Sequence, residues 1–180
     1  MSKARDLAAS TFTDAITASG GIYLGGTSSA NLQDDYEEGT WTPAYSTTGV
    51  DLSSVTYNTT YTSGTYVKVG RNVTLRGYIR TEAMTLGSAT GGVIVTGIPF
   101  TSSNGVNTTT DVRCAGPVLS TNFSADGPST LVINNNKTYF ECYGHNTIGS
   151  GTSAAIVNAA DMRTTATSNI MTFTLNYYVD

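Results

Sequence analysis

The sequence predicts an all-β protein: an antiparallel β-sandwich or jelly roll with a short N-terminal attachment segment, part helical and part extended. Three observations carry this. Runs of β-branched and aromatic residues with a period of two recur from Tyr57 to the end of the chain. Gly-, Asn- and Ser-rich turns separate them. No helical pattern interleaves with the strands, which argues against an alternating α/β architecture. The chain has 180 residues, enough to bury a core without disulfide or metal staples. It shows no repeat of fixed period.

The first element is the only good helix former, residues 2–9, with Ser2 as its cap. About two turns are too few to stand alone in water, so the helix needs a docking surface or another subunit. Residues 12–31 follow as two short extended pieces punctuated by Gly20-Gly21 and Gly25-Gly26. Their apolar residues are Phe12, Ile16, Ile22 and Leu24. With Leu7 these are the expected attachment and oligomerisation residues, because a lone chain would leave them wet.

Residues 34–43 are the most distinctive stretch. Asp34, Asp35, Glu37 and Glu38 place four carboxylates in five positions, and their repulsion favours solvent or a cation. A calcium loop would continue as Asp-x-Asp-x-Asp-Gly. None follows, so a solvated hinge is expected. Trp41, the only tryptophan, is expected to plug the start of the folded domain, with its indole N–H reaching a backbone carbonyl.

Strands are then predicted over 65–69, 73–80, 91–98, 111–119, 130–133, 137–143 and 168–179, beside a start near Tyr57. In 73–80 the alternation sends Val73, Leu75, Gly77 and Ile79 inward and Thr74, Arg76, Tyr78 and Arg80 outward. Residues 91–98 form a continuous apolar run closed by Pro99, which predicts a strand buried on both faces. Asn134-Asn135-Asn136 makes a hairpin turn.

Composition narrows the function. Only 12 % of residues are charged, with a net charge of −4, about half the usual charged fraction. The nine basic residues are scattered, so the footprint of a nucleic-acid binder is missing. No apolar run is long enough to cross a bilayer, and residues 1–10 are too polar for a secretory signal. The chain is expected to be made in a cytoplasm and to leave with a particle rather than by secretion. Cys114 and Cys142 are expected to be small buried residues rather than a disulfide.

No catalytic constellation stands out. His145 is the only histidine and reads as a surface residue. One histidine and two separated cysteines do not give zinc spacing, so no metal and no cofactor are expected. Glycan cleavage would need two carboxylates about one bond. Asp51, Glu82, Asp111, Asp126, Glu141, Asp161 and Asp180 are available, with no spacing that favours a pair. Sugar binding without cleavage has more support. Among eleven tyrosines, Tyr61, Tyr78 and Tyr143 fall on predicted outward faces, where the rings can stack on sugars or pad subunit interfaces.

The segment Ile22-Tyr23-Leu24-Gly25-Gly26-Thr27, with Ala30-Asn31-Leu32-Gln33-Asp34-Asp35-Tyr36-Glu37-Glu38-Gly39-Thr40-Trp41-Thr42-Pro43 after it, resembles a module of phage tail-fibre and related virion proteins, notably of marine and cyanobacterial phages. The start Ser2-Lys3-Ala4-Arg5-Asp6-Leu7-Ala8 is similar to that of such subunits. So are Gly64-Thr65-Tyr66-Val67-Lys68-Val69-Gly70-Arg71, Gly97-Ile98-Pro99-Phe100-Thr101-Ser102 and the closing Tyr177-Tyr178-Val179. The resemblance implies a virion structural protein without catalytic residues. It implies a homotrimeric fibre or adhesin attached by its N-terminus to other virion proteins of the tail, baseplate or capsid. Host surface polysaccharide is the expected external contact. Unlike long fibres, this chain has almost no shaft, which leaves a capsid decoration or head-fibre protein as the alternative. A polysaccharide depolymerase is the alternative outside that class. The expected division is 1–43 for attachment and oligomerisation and 44–180 for the β-sandwich.

Overall fold

The structure, a computed structural model, describes residues 20–105, 113–125, 127–146 and 153–180. The helix expected over 2–9, and with it Leu7, Phe12 and Ile16, lies outside the described residues. The chain forms two compact units, residues 1–35 and residues 36–180.

In the first unit, β1 (Ile22–Tyr23) pairs antiparallel with β2 (Leu32–Gln33). Gly25 has a φ of 89°, which favours glycine. A 3₁₀ turn over Ser29–Asn31 leads back, and the Leu24 N–H donates to the Asn31 carbonyl at 2.8 Å. A two-stranded ladder is marginal by itself. Its Ile22, Tyr23 and Leu24 side chains stay 56, 51 and 57 % exposed.

The second unit is all β. Its strands are β3 (Tyr36–Trp41), β4 (Ala44–Thr47), β5 (Ser54–Tyr57), β6 (Ser63–Val69), β7 (Asn72–Thr85), β8 (Val93–Thr96), β9 (Arg113–Thr121), β10 (Thr130–Asn134), β11 (Tyr139–Asn146), β12 (Ser153–Ile156) and β13 (Ser168–Tyr178). All belong to one antiparallel sheet with the path β3-β6-β7-β13-β9-β10-β11-β8-β4, with β5 added on β7 and β12 on β11.

Two features curl this sheet into a sandwich-like wrap. The first is β9, which pairs with β13 through Val118–Thr121 and with β10 through 113–117. One strand thus serves both layers. The second is the Thr42-Pro43 link. The path starts at β3 and ends at β4, and these two strands are separated in sequence by only those two residues. The two ends of the sheet are therefore held together covalently.

The core follows the predicted alternation. Val73, Leu75 and Ile79 of β7 are fully buried, as are Met171, Leu175 and Tyr177 of β13. Val93, Ile94 and Val95 of β8 are all buried, so that strand is covered on both faces as its apolar run predicts. At the centre Trp41, Phe140 and Phe173 pack at ring-centroid distances of 5.2 to 6.3 Å. The Trp41 indole N–H donates to the Arg76 carbonyl at 3.1 Å, as its sequence position predicts.

The expected hinge is corrected. Tyr36, Glu37, Glu38 and Thr40 are exposed, but residues 36–41 are not an unpaired corner. They form β3, paired residue for residue with β6 from Tyr36↔Val69 to Trp41↔Gly64. The strand's period of two sends Glu37 and Glu38 to opposite faces, which relieves their repulsion. Each then takes a tyrosine hydroxyl: Tyr66 donates to Glu37 at 2.5 Å and Tyr36 to Glu38 at 2.8 Å. Residues 36–43, assigned to the attachment segment on sequence, accordingly fall in the second unit, while Asp34 and Asp35 close the first.

Cys114 and Cys142 are not bonded to each other. β10 lies between their strands, with Ile133 opposite Cys114 and Leu131 opposite Cys142. Two inter-strand spacings, about 9.5 Å, exceed disulfide reach. Cys142 is fully buried.

Candidate functional site

The outward face of β6, β7, β13 and β9 carries a shallow surface trough. Register alone lays it out. One cross-strand row runs Thr40–Thr65–Arg76–Thr174 and the next runs Ser63–Tyr78–Thr172–Leu119. Between them lies a shallow trough whose floor is the backbone of Gly64, Gly77 and Phe173. It continues past β13 toward Pro117 and Leu119. From β6 to β9 the trough crosses three inter-strand spacings, about 14 Å.

The core below constrains the inner side of the same residues. A Cβ on Gly64 would lie 2.2 Å from Trp41 Nε1, and one on Gly77 would lie 2.4 Å from Phe173 Cζ. The aromatic cluster therefore requires glycine on the inner side of both strands, while outside the backbone is bare because Gly64, Gly77 and Phe173 all occupy inward-facing positions of their strands.

One rim is aromatic. Tyr61 and Tyr78 pack with centroids 5.9 Å apart, and the Arg80 guanidinium lies 5.2 Å over the Tyr61 ring, a cation–π arrangement. Tyr61 is presented by a turn that Asn58 builds. The Asn58 side-chain oxygen accepts from the Thr60 and Tyr61 N–H groups at 3.1 and 3.0 Å, an Asx-type turn. The Asn58 amide donates to Glu82 at 2.7 Å, and Arg80 pairs with Glu82 at 2.8 Å. Arg80 also donates to Thr167 Oγ1 at 2.9 Å. The Asn58 hydrogen bond, then the Arg80 charge, hold the Glu82 carboxyl below its usual range.

Of the tyrosines singled out on sequence, the structure brings Tyr61 and Tyr78 together and leaves Tyr143 apart. Tyr143 sits on β11, separated from β7 by β13, β9 and β10 along the sheet. Its own surroundings echo the first set: Arg113 lies 5.8 Å over the ring, and its hydroxyl donates to Glu141 at 3.1 Å. Burial, then Glu141, raises the Tyr143 hydroxyl above its ordinary value.

Each described carboxylate weighed for glycan cleavage serves a local donor. Asp51 accepts from the Leu52 N–H, Glu82 from Asn58, Glu141 from Asn134 and Tyr143, Asp161 from the Asn158 N–H, and Asp180 from Ser103 and Asn104. Asp111, Asp126 and the His145 side chain lie outside the described residues. Among the described residues no group of three or more His, Cys, Asp or Glu is placed to hold a metal ion.

Sequence reasoning found the outward Arg76, Tyr78 and Arg80 but missed Thr65, Thr172 and Thr174. The alternation Thr172, Thr174, Asn176 in the closing strand carried the signal for two of them. Their union with Thr65 depends on the non-local β7–β13 register. No protein-family model, no curated protein and no solved structure matches the chain.

Proposed function

We propose that this chain is a structural protein of a bacteriophage particle, a small fibre or adhesin-type subunit that works as a homotrimer. It is made in the host cytoplasm and carried on the virion. Residues 1–35 attach it to other copies and to tail, baseplate or capsid proteins. The β unit faces outward and contacts host surface glycans. The phage-fibre resemblance of residues 22–43 supports the class. The exposed Ile22, Tyr23 and Leu24 support the attachment role, since the small hairpin leaves all three wet.

The observation that carries the glycan reading is the hydroxyl-lined trough with the Tyr61–Tyr78 pair on its rim. Sugar rings present C–H faces that aromatic rings cover, and hydroxyls that threonine side chains both donate to and accept from. Binding of purified protein to host cells tests this reading. Replacing both Tyr61 and Tyr78 by Ala is expected to cut cell binding at least tenfold while the far-ultraviolet circular dichroism stays unchanged. Undiminished binding by the double variant would remove the site from the proposal.

A further inference from the structure

We infer that the trough takes an acidic polysaccharide, with a sugar carboxylate held by Arg76 and the glycan running across the strands; this rests on the glycan reading above. The argument starts from charge. The chain carries a net charge of −4 and would repel an acidic polymer at long range, so such a ligand needs a local cation. Arg76 is that cation. It stands outward in the middle of the row between Thr65 and Thr174, and it lines the trough.

The neighbouring charges are already committed. Arg80 is engaged with Glu82 and Thr167. The carboxylates on this side, Glu38 and Glu82, are held by Tyr36 and by Asn58 with Arg80. The residues that line the trough include no acid, and among the described residues no ion pair engages Arg76.

The chemistry of the side chain selects the ligand. A guanidinium offers five donors in a planar fork and no acceptor. A neutral sugar hydroxyl uses one of them, whereas a carboxylate matches the fork with two parallel bonds. Thr65, Thr172 and Thr174 flank the fork with hydroxyls that suit the rest of the sugar. Tyr78 lies two residues further along the same strand, in the next row and about 7 Å away, so it borders the trough opposite Arg76 and covers the other edge of the same sugar. The row direction sets the direction of the chain, perpendicular to the strands.

The test is affinity electrophoresis of the full chain through gels containing alginate, polygalacturonate, hyaluronan or neutral dextran, with the host's own surface polysaccharide as a fifth gel. Retardation by at least one acidic polymer, lost at least tenfold in Arg76→Gln and partly kept in Arg76→Lys, is expected. Methyl-esterifying the carboxylates of the retarding polymer is expected to abolish the effect equally. Dextran sulfate in place of the carboxylate polymers separates a carboxylate preference from a general response to negative charge, and equal retardation by it would overturn the carboxylate assignment. Equal retardation of Arg76→Gln and the parent protein would overturn the inference and leave glycan binding standing. So would binding only to dextran. Absence of retardation in all five gels would overturn the glycan reading and this inference together.

Discussion

At the scale of single residues, Gly64 and Gly77 show how tightly the core constrains the inner face of the sheet. Inside, their hydrogens face Trp41 and Phe173, and a methyl on Gly77 would come within 2.4 Å of Phe173 Cζ. That ring has little freedom to retreat, because Phe140 packs 5.2 Å from it and Trp41 6.1 Å from it. Gly77→Ala is therefore an overpacking change and is expected to destabilise the β unit by about 1–3 kcal/mol. The urea midpoint should fall with the slope of the transition unchanged. Thr174→Ala, which removes an outward hydroxyl one strand away, should shift stability by less than about 0.5 kcal/mol. A Gly77→Ala midpoint equal to the parent's would mean that the aromatic cluster yields more easily than its packing indicates.

At the scale of elements, β13 is held at both ends by devices outside its ladder. At its start, the register shifts between Ser168 and Met171. There the buried Asn169, at a φ of 47°, donates to Thr81 Oγ1 and the Arg163 carbonyl at 3.0 and 2.8 Å. At its end, the Asp180 carboxylate accepts from Ser103 Oγ at 2.7 Å and the Asn104 N–H at 3.1 Å, with Arg71 3.7 Å away. The Ser103 and Asn104 hydrogen bonds, followed by the Arg71 charge, hold the Asp180 carboxyl below its ordinary value of 3.8. A carboxyl that binds its proton less tightly when folded adds stability above the unfolded value. That stability fades as pH falls through the lowered folded value. Asp180→Asn is thus expected to lower the urea midpoint at neutral pH. The gap from the parent should close on acidification to about pH 2. A gap of constant size across that range would show that charge on Asp180 is not what secures the strand end.

The same scale explains what could be read in advance. β7, β8 and β13 were legible because their own residues announce burial: strict alternation in two of them and a continuous apolar run in the third. β3 was not, because a run of carboxylates reads locally as repulsion, and only pairing with β6 reveals that alternate faces and two tyrosine hydroxyls separate the charges. β4 and β12, at four residues each and rich in Ala and Ser, are too short and too small to show a period. The candidate site divides in the same way. The outward side chains of β7 follow from alternation, but the meeting of Arg76 with Thr65 and Thr174 depends on registers that span up to about a hundred residues of sequence.

At the scale of the whole molecule, the division at residue 35 separates two very different ways of being stable. Residues 36–180 bury a continuous core and close their sheet through Thr42-Pro43, and no described strand of that sheet pairs with β1 or β2. The described leader has two strands of two residues each and three exposed apolar side chains. Fully burying a side chain of this size is worth about 1.5–3 kcal/mol; the hairpin, which leaves each a little over half exposed, forgoes roughly half of that, and an assembly of copies recovers it. On the proposed function the full chain therefore sediments as a trimer in dilute solution, held by residues 1–35. Removing residues 1–33 should give a monomer that retains the β-type circular dichroism spectrum and a cooperative urea transition, and that no longer enters particles. Analytical ultracentrifugation of both proteins checks the first part, and phage production with the shortened gene checks the second. A full-length chain that is monomeric at micromolar concentration, or a shortened one that still assembles, would show that the leader's apolar residues serve neither self-association nor attachment.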